Sequence, residues 1–329
     1  MLSAPSPKLI EDMAKISGDV TVLGAGGKMG PTLCLLAANA VRAAGVKKKI
    51  TAVSRFSDPA VLKQLKSSGV DVISVDLLDT KALYALPETE NVIFMAGRKF
   101  GTKGQEWQTW GMNATLPAFA ADKFKKSKIL AFSSGNVYPP VPVSSGGCRE
   151  DDPAGPVGEY AMSCLARERA FEYAANVYGT KTLIYRLNYA VDLRYGVLCD
   201  IAEKLVAGEA VSLCTPVFNI IWQGHANEIA LRGLLHCAAP AFKLNVTGSE
   251  IVPVKYAAER MAKILGVKPV FSGEPQSDAL LNNANLSTEL FGPSPINAET
   301  LIDMQARWFL DGGRRLNKPT HFEERKGNY

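Results

Sequence analysis

No stretch of the 329-residue chain approaches the roughly 18 consecutive apolar residues of a membrane-crossing helix, and its mean hydropathy is +0.01. A membrane anchor and a membrane partner are therefore not expected. Histidine is scarce, with three residues, and the six cysteines (Cys34, Cys148, Cys164, Cys199, Cys214 and Cys237) form neither a CxxC pair nor a regular spacing. That pattern speaks against a metal centre or a disulfide framework. Basic residues outnumber acidic ones by only 37 to 32, and the excess is dispersed, so the basic stripe of a nucleic-acid-binding protein is missing. The N-terminal stretch holds Pro5, Pro7, Glu11 and Asp12 and lacks the basic start and apolar run of a secretory signal. A reducing, cytoplasmic setting is expected.

What is present is ample apolar material, 47% of the residues, in a chain whose length corresponds to about two domains at roughly 100–200 residues each. Short apolar runs alternate with longer helical patterns through the first two-thirds, the rhythm of repeated βαβ units and a parallel sheet. Strands are expected at 20–23, 50–54, 70–75, 91–95, 128–132 and 182–187. Helices are expected at 29–44, 59–68, 110–124 and 160–178, where apolar residues recur at three- and four-residue spacing. After residue 187 the elements shorten, with helices expected near 196–207, 227–237, 254–265 and 298–311 and strand-like pieces at 218–222 and 242–246. The expectation is a dinucleotide-binding domain over 1–187, with a return segment near 217–247, interleaved with a smaller mixed α/β substrate domain over 188–329. The tail from Gly312 is polar and aperiodic, either a surface wrap or partly disordered.

The sharpest local signal is Asp19-Val-Thr-Val-Leu-Gly24-Ala-Gly-Gly27-Lys28-Met29-Gly30, a short apolar strand running into glycines and then a helix. Glycines let the backbone turn sharply and approach a pyrophosphate, whose charge is stabilised by the free N–H groups of the helix N-terminus. Gly24, Gly27, Lys28, Met29 and Gly30 are thus candidate cofactor contacts. At the end of the second expected strand, where a carboxylate would hold the ribose of NAD, the chain has Ser54-Arg55. A hydroxyl and a guanidinium suit a 2′-phosphate, so NADP is favoured over NAD.

These landmarks, with others in order along the chain, resemble the extended short-chain dehydrogenases/reductases, specifically the NAD-dependent epimerase/dehydratase family. Asp76-Leu77-Leu-Asp79 is similar to the family's acidic turn near the adenine. Met95-Ala96-Gly97-Arg98-Lys99 resembles the segment that lies along the cofactor, and Asn113 matches an asparagine of the next helix. Phe132-Ser-Ser134-Gly-Asn-Val-Tyr138 matches the SSxxVYG run, with Pro139 in place of its glycine. Arg186-Leu-Asn188-Tyr189 is similar to the segment leading into the substrate domain. The resemblance implies a Rossmann-like doubly wound sheet, Tyr160 as acid/base, Ser134 as its partner, and hydride transfer with a sugar or sugar-like hydroxy compound. It also implies a homodimer built on the helices 110–124 and 160–178.

The family's YxxxK lysine is replaced by Cys164. A thiol supplies no fixed positive charge, so the hydroxyl of Tyr160 loses the group that would lower its pKa from about 10. Lys99 and Arg98 are the candidate substitutes. Cys164 otherwise reads as a small hydrophobe one turn along from Tyr160. The substitution keeps open a second reading, a cofactor-binding redox or scaffold protein without turnover.

Overall fold

The computed structural model describes residues 1–318 and 320–327. Seven parallel strands form one sheet: β1 (Val20–Leu23), β2 (Ile50–Ser54), β3 (Asp71–Ser74), β4 (Asn91–Phe94), β5 (Lys128–Ser134), β6 (Thr182–Leu187) and β7 (Phe242–Val246). Their spatial order is β7-β6-β5-β4-β1-β2-β3. The order reverses at β1, which pairs with β2 on one side and β4 on the other. A doubly wound sheet opens a crevice at that reversal, beyond the carboxyl ends of the strands.

The central strands are buried on both faces, as near-continuous apolar runs require: every residue of β1 and of β4 is buried. Helices Pro7–Lys15, Gly30–Ala44 and Gln223–Gly233 contribute to the core on one face. Helices Leu116–Lys123 and Gly158–Tyr178 contribute to the core on the other. Beyond β6 a second core gathers helices Val197–Ala207, Val254–Leu265 and Ala298–Leu310 around Phe218, Trp222 and Phe322.

Several elements depart from the periodicity. The expected strand at 218–222 is two separate pairs, Val217–Phe218 and Ile221–Trp222, each in its own small sheet. Of the return segment, only β7 joins the large sheet. The helix expected at 227–237 runs over Gln223–Gly233. The expected 110–124 helix begins at Glu106 and opens into a wide π turn over Gly111–Thr115, where Leu116 N–H reaches back to Gly111 O. Pro117 explains the defect, since it has no N–H with which to continue the regular ladder. Helix Pro7–Lys15, with Ser6 accepting from Leu9 N–H, is additional.

A buried polar network ties the layers together. Glu168, fully buried in helix Gly158–Tyr178, accepts from Ser133 Oγ (2.6 Å), Arg186 Nε (2.9 Å) and Arg186 Nη2 (2.8 Å). Arg186 also contacts the Tyr138 hydroxyl, which donates to Asn245 Oδ1 at 3.0 Å. One ion pair thereby links β5, β6, β7 and the helix that carries Tyr160.

Candidate active site

The turn after β1 has the shape its glycines suggest. Gly24 adopts a φ of 86°, and a Cβ there would stand 2.5 Å from the backbone nitrogen of Ala96 in the segment after β4. A Cβ on Gly30 would stand 2.3 Å from Ala25 O, whereas one on Gly27 would meet only Gly24 O, at an ordinary contact distance of 3.5 Å. Helix Gly30–Ala44 has no side-chain cap at its N-terminus. Pro31 has no N–H to offer, but no side chain caps the other N–H groups of the first turn, and the slack at Gly27 lets a pyrophosphate come close. The residues present fit a dinucleotide.

Ser54 closes β2 with its Oγ 2.7 Å from where a Cβ of Gly26 would lie. Arg55 is 70% exposed and 3.8 Å from Asp76 Oδ2, a loose surface pair. Asp76 Oδ1 accepts from Leu78 N–H, which shapes the turn, and Leu77 is buried in the core. Met95, half-buried, and Ala96, buried, line the wall opposite the glycine turn.

Ser134 ends β5 and is hydrogen-bonded to Asn136 Oδ1 (3.0 Å) while accepting from Asn136 N–H (3.2 Å). Tyr160 stands in the first turn of helix Gly158–Tyr178, and its hydroxyl meets both Ser134 and the Cys164 sulfur. Burial pushes the Tyr160 hydroxyl well above its ordinary range, and Cys164 adds to the rise; Ser134 and the Arg167 guanidinium act in the opposite direction. Cys164 is fully buried and its thiol is likewise raised, chiefly by burial. Beyond packing, the thiol is a hydrogen-bond partner of the phenol.

Of the two candidate replacements for the lysine, Arg98 is committed elsewhere: Nη2 donates to Gly101 O at 2.8 Å and Nη1 contacts Gln108. Lys99 turns inward, with Nζ 5.6 Å from the centre of the Tyr160 ring. Burial pushes it down to about 8, while the neighbouring Cys164 and Asp200 act against that shift.

Asn113 uses its full hydrogen-bonding capacity inside the protein. Its Oδ1 accepts from Arg98 N–H (2.8 Å) and Arg167 Nη2 (2.7 Å), and its Nδ2 donates to Arg98 O (2.8 Å) and Ser163 Oγ (3.0 Å). An amide has two acceptor and two donor positions, and Asn113 uses all four to hold the backbone after Gly97 against the helix that carries Tyr160. The π turn sets it there. Asn188 lies under the Ser134 turn, its Nδ2 donating to Asn219 Oδ1 at 3.1 Å. Both act as supports of the site.

Arg167 and Asp200 were not marked by any motif, and Asn136 fell at an unspecified position of the SSxxVYG run. Arg167 falls seven residues after Tyr160, on the same face of its helix, and its Nη1 donates to Phe132 O at 2.9 Å. That helical spacing was the available signal. Nothing local announces Asp200.

The model of the NAD dependent epimerase/dehydratase family matches residues 20–191, just over half of the chain. The chain belongs to that family. No curated protein sequence matches it significantly. Among solved structures, it is similar to UDP-glucuronic acid 4-epimerase from Bacillus cereus in complex with NAD (TM-score 0.70, 15% identity, 89% of this chain and 99% of that one). It is also similar to UDP-glucose 4-epimerase from Thermotoga maritima with UDP-glucose (0.71, 16%, 89% and 99%). A third is dTDP-glucose 4,6-dehydratase from Bacillus anthracis in complex with NAD (0.74, 12%, 90% and 97%). At these identities the likeness is one of fold.

Proposed function

We propose that the protein is an NAD(P)-dependent oxidoreductase or epimerase-type enzyme acting on a hydroxyl of a sugar or sugar-like compound. The observation that carries this reading is the contact of Ser134 with Tyr160 at the carboxyl end of β5, beside a glycine turn fitted to a dinucleotide. The cofactor, when bound, supplies or accepts the hydride. Tyr160 exchanges the proton of the reacting hydroxyl, and Ser134, oriented by Asn136, hydrogen-bonds the same oxygen. Arg167 and Lys99 bring positive charge towards the phenolate that forms, in place of the ammonium a lysine at 164 would hold. NADP is favoured over NAD because β2 ends in a hydroxyl and a guanidinium with no carboxylate. Absorbance screening of both cofactors against sugars, sugar acids and nucleotide sugars tests the reading. Hydride consumption is expected, and a protein that binds cofactor without turnover on any of them would favour the redox or scaffold alternative.

The reading includes a cytoplasmic homodimer, supported by six free thiols and by apolar residues left exposed on two neighbouring helices, Phe119 on one and Met162, Tyr173 and Val177 on the other. An isologous dimer would cover such a face. Light scattering should return twice the 35.4 kDa chain mass, and a monomer at micromolar concentration would refute the assembly.

A further inference from the structure

Residues 320–327, beyond helix Ala298–Leu310, form a strap that touches both walls of the cleft. Thr320 donates from its N–H and Oγ1 to Asp200 Oδ2, at 2.8 and 2.5 Å, and Phe322 is buried in the second core. Those contacts fix the start of the strap beside helix Val197–Ala207. Between them the His321 ring reaches the other wall, its centre 5.6 Å from that of Phe100 in the loop after β4. Past Phe322 the chain crosses the cleft. Glu323 pairs with Lys204, and Arg325 pairs with Asp278, whose main-chain O also accepts from Arg325 Nη1 at 3.0 Å. Gly327 then lies on the first turn of the helix that carries Tyr160. A Cβ on Gly158 would stand 2.6 Å from the Gly327 Cα, and one on Gly327 would stand 2.5 Å from Val157 O. Both glycines have positive φ, 82° and 79°, so this seating of backbone on backbone suits glycine alone.

The strap leaves little room beneath it. Asn136, Val157 and Tyr189 on one side and Phe322, Arg325 and Gly327 on the other wall a cavity of about 40 Å³. That admits no more than a few waters, whereas ligand pockets run to roughly 300–1,000 Å³. Asn136 is the residue that orients Ser134, and Val157 leads into Gly158 and Tyr160, so the closed space adjoins the candidate active site. The two parts of the strap are held differently. Thr320 and Phe322 are buried. The pairs of Glu323 and Arg325 have side chains between 24% and 41% exposed, and ion pairs so exposed contribute little. A segment with few buried apolar contacts opens locally while the rest of the protein stays folded.

We infer that residues 323–327 are a lid over the site, hinged at the buried Phe322. They leave Lys204, Asp278 and Gly158 to admit substrate and return to shut out water while the reaction proceeds. The inference rests on the hydride-transfer reading for the placing of that reaction at Ser134 and Tyr160.

Hydrogen exchange of the full chain, followed peptide by peptide in a mass spectrometer, reads the lid without a substrate. Gly327→Ala sets a Cβ against Val157 O and should hold the lid open. Peptides covering 323–327 should then exchange about tenfold faster than in the parent, the effect of one side chain forced into the left-handed region. Peptides covering 135–138 and 155–159 should also gain exchange as their cover lifts, and those of β1 and β4 should not. Asp278→Ala frees Arg325 and should act in the same direction by about two- to fivefold; it decides the matter if Gly327→Ala does not fold by circular dichroism. Unchanged exchange over 323–327 in both variants would overturn the inference, the strap being a fixed wall. So would faster exchange confined to the strap, which would make it a frayed surface wrap that covers nothing. Turnover is read separately, with NADP and with D-glucose, D-glucuronate and UDP-glucose as probes. On any probe that consumes hydride, Gly327→Ala should change kcat and KM together, by about twofold or more each. Both constants unchanged in a variant whose lid exchanges faster would overturn the gating role. Silence from every probe would count against the hydride reading alone, and exchange over 135–138 and 155–159 would still decide the lid.

Discussion

On the nucleotide side of the cleft the backbone prepares the site: Gly24 and Gly30 permit contacts that any side chain would block, and an uncapped helix presents its N–H groups. On the side of the proposed chemistry the site is made of side chains drawn from distant segments, among them Ser134 and Asn136 after β5, Tyr160 on its helix and Lys99 from the loop after β4. A backbone site tolerates change wherever side chains do not enter it, and it accepts whatever carries a pyrophosphate. A side-chain site is specific and vulnerable at each member. The difference teaches where a proposed site without a lysine at 164 would draw its positive charge: Arg167 lies further along the same helix and Lys99 in the loop after β4.

The strongest way to break this comparison is at Tyr160. Tyr160→Phe removes the proton-exchanging group and should lower kcat by about 10²–10⁴, the usual contribution of a positioned acid/base, with the Kd for the cofactor unchanged. Retained turnover would remove the substrate side from the chemistry altogether.

Next in size is Glu168→Gln, which leaves the Arg186 guanidinium buried without a counter-charge. Loss of one partner of a buried pair costs about 3–5 kcal/mol, so the urea midpoint should fall markedly. A change within error would show that the network does not hold the two sides together.

Arg55→Ala addresses the nucleotide side alone. A charge-assisted contact to a phosphate is worth about 1.5–3 kcal/mol, so the preference for NADP over NAD should fall by about tenfold or more. Direct titration checks it, and tighter NAD binding by the parent would refute the assignment of Arg55.

The smallest effect is expected at Cys164. Ser134 from β5 and Cys164 from its own helix hydrogen-bond the Tyr160 hydroxyl, the Arg167 guanidinium acts on it from the same helix, and Lys99 Nζ from the loop after β4 lies 5.6 Å from the centre of its ring. Because burial holds the phenol well above its ordinary value of about 10, alcohol oxidation should still be climbing with pH at and beyond roughly 10. Cys164 contributes to that rise, so Cys164→Ala should move the climb to lower pH while changing the best rate by no more than a few-fold. An unmoved profile would return the thiol to mere packing; loss of activity in a folded variant would make it a participant.

Much of the nucleotide side is readable in the sequence because its determinants are local. The glycine turn lies within residues 24–30, and the strand ends around it follow from short apolar runs. Ser134 and Tyr160 were also visible, through their place in ordered family motifs. The inward turn of Lys99 and the outward turn of Arg98 were not, because adjacent residues in a loop carry no periodicity that separates their directions. Asn113 shows the opposite case: its place in the motifs is that of a cofactor contact, and its four hydrogen bonds within the protein follow from residues far along the chain that the sequence does not bring together. The strap from Thr320 to Gly327 was legible only as polar chain, since its anchors, Asp200, Lys204, Asp278 and Gly158, are far away along the sequence.

The ion pair between Arg186 and Glu168 also bears on how the sheet is assembled. β5 and β6 are parallel and lie far apart in the chain, and parallel pairs of this kind must find their alignment without a hairpin to set it. A slip of β6 by one residue would turn every side chain to the opposite face, carrying Arg186 away from Glu168 and Ser133 and leaving a carboxylate stranded in the interior. The same pair that holds the finished site therefore penalises the shifted register, and the register it selects is the one that sets Ser134 opposite Tyr160.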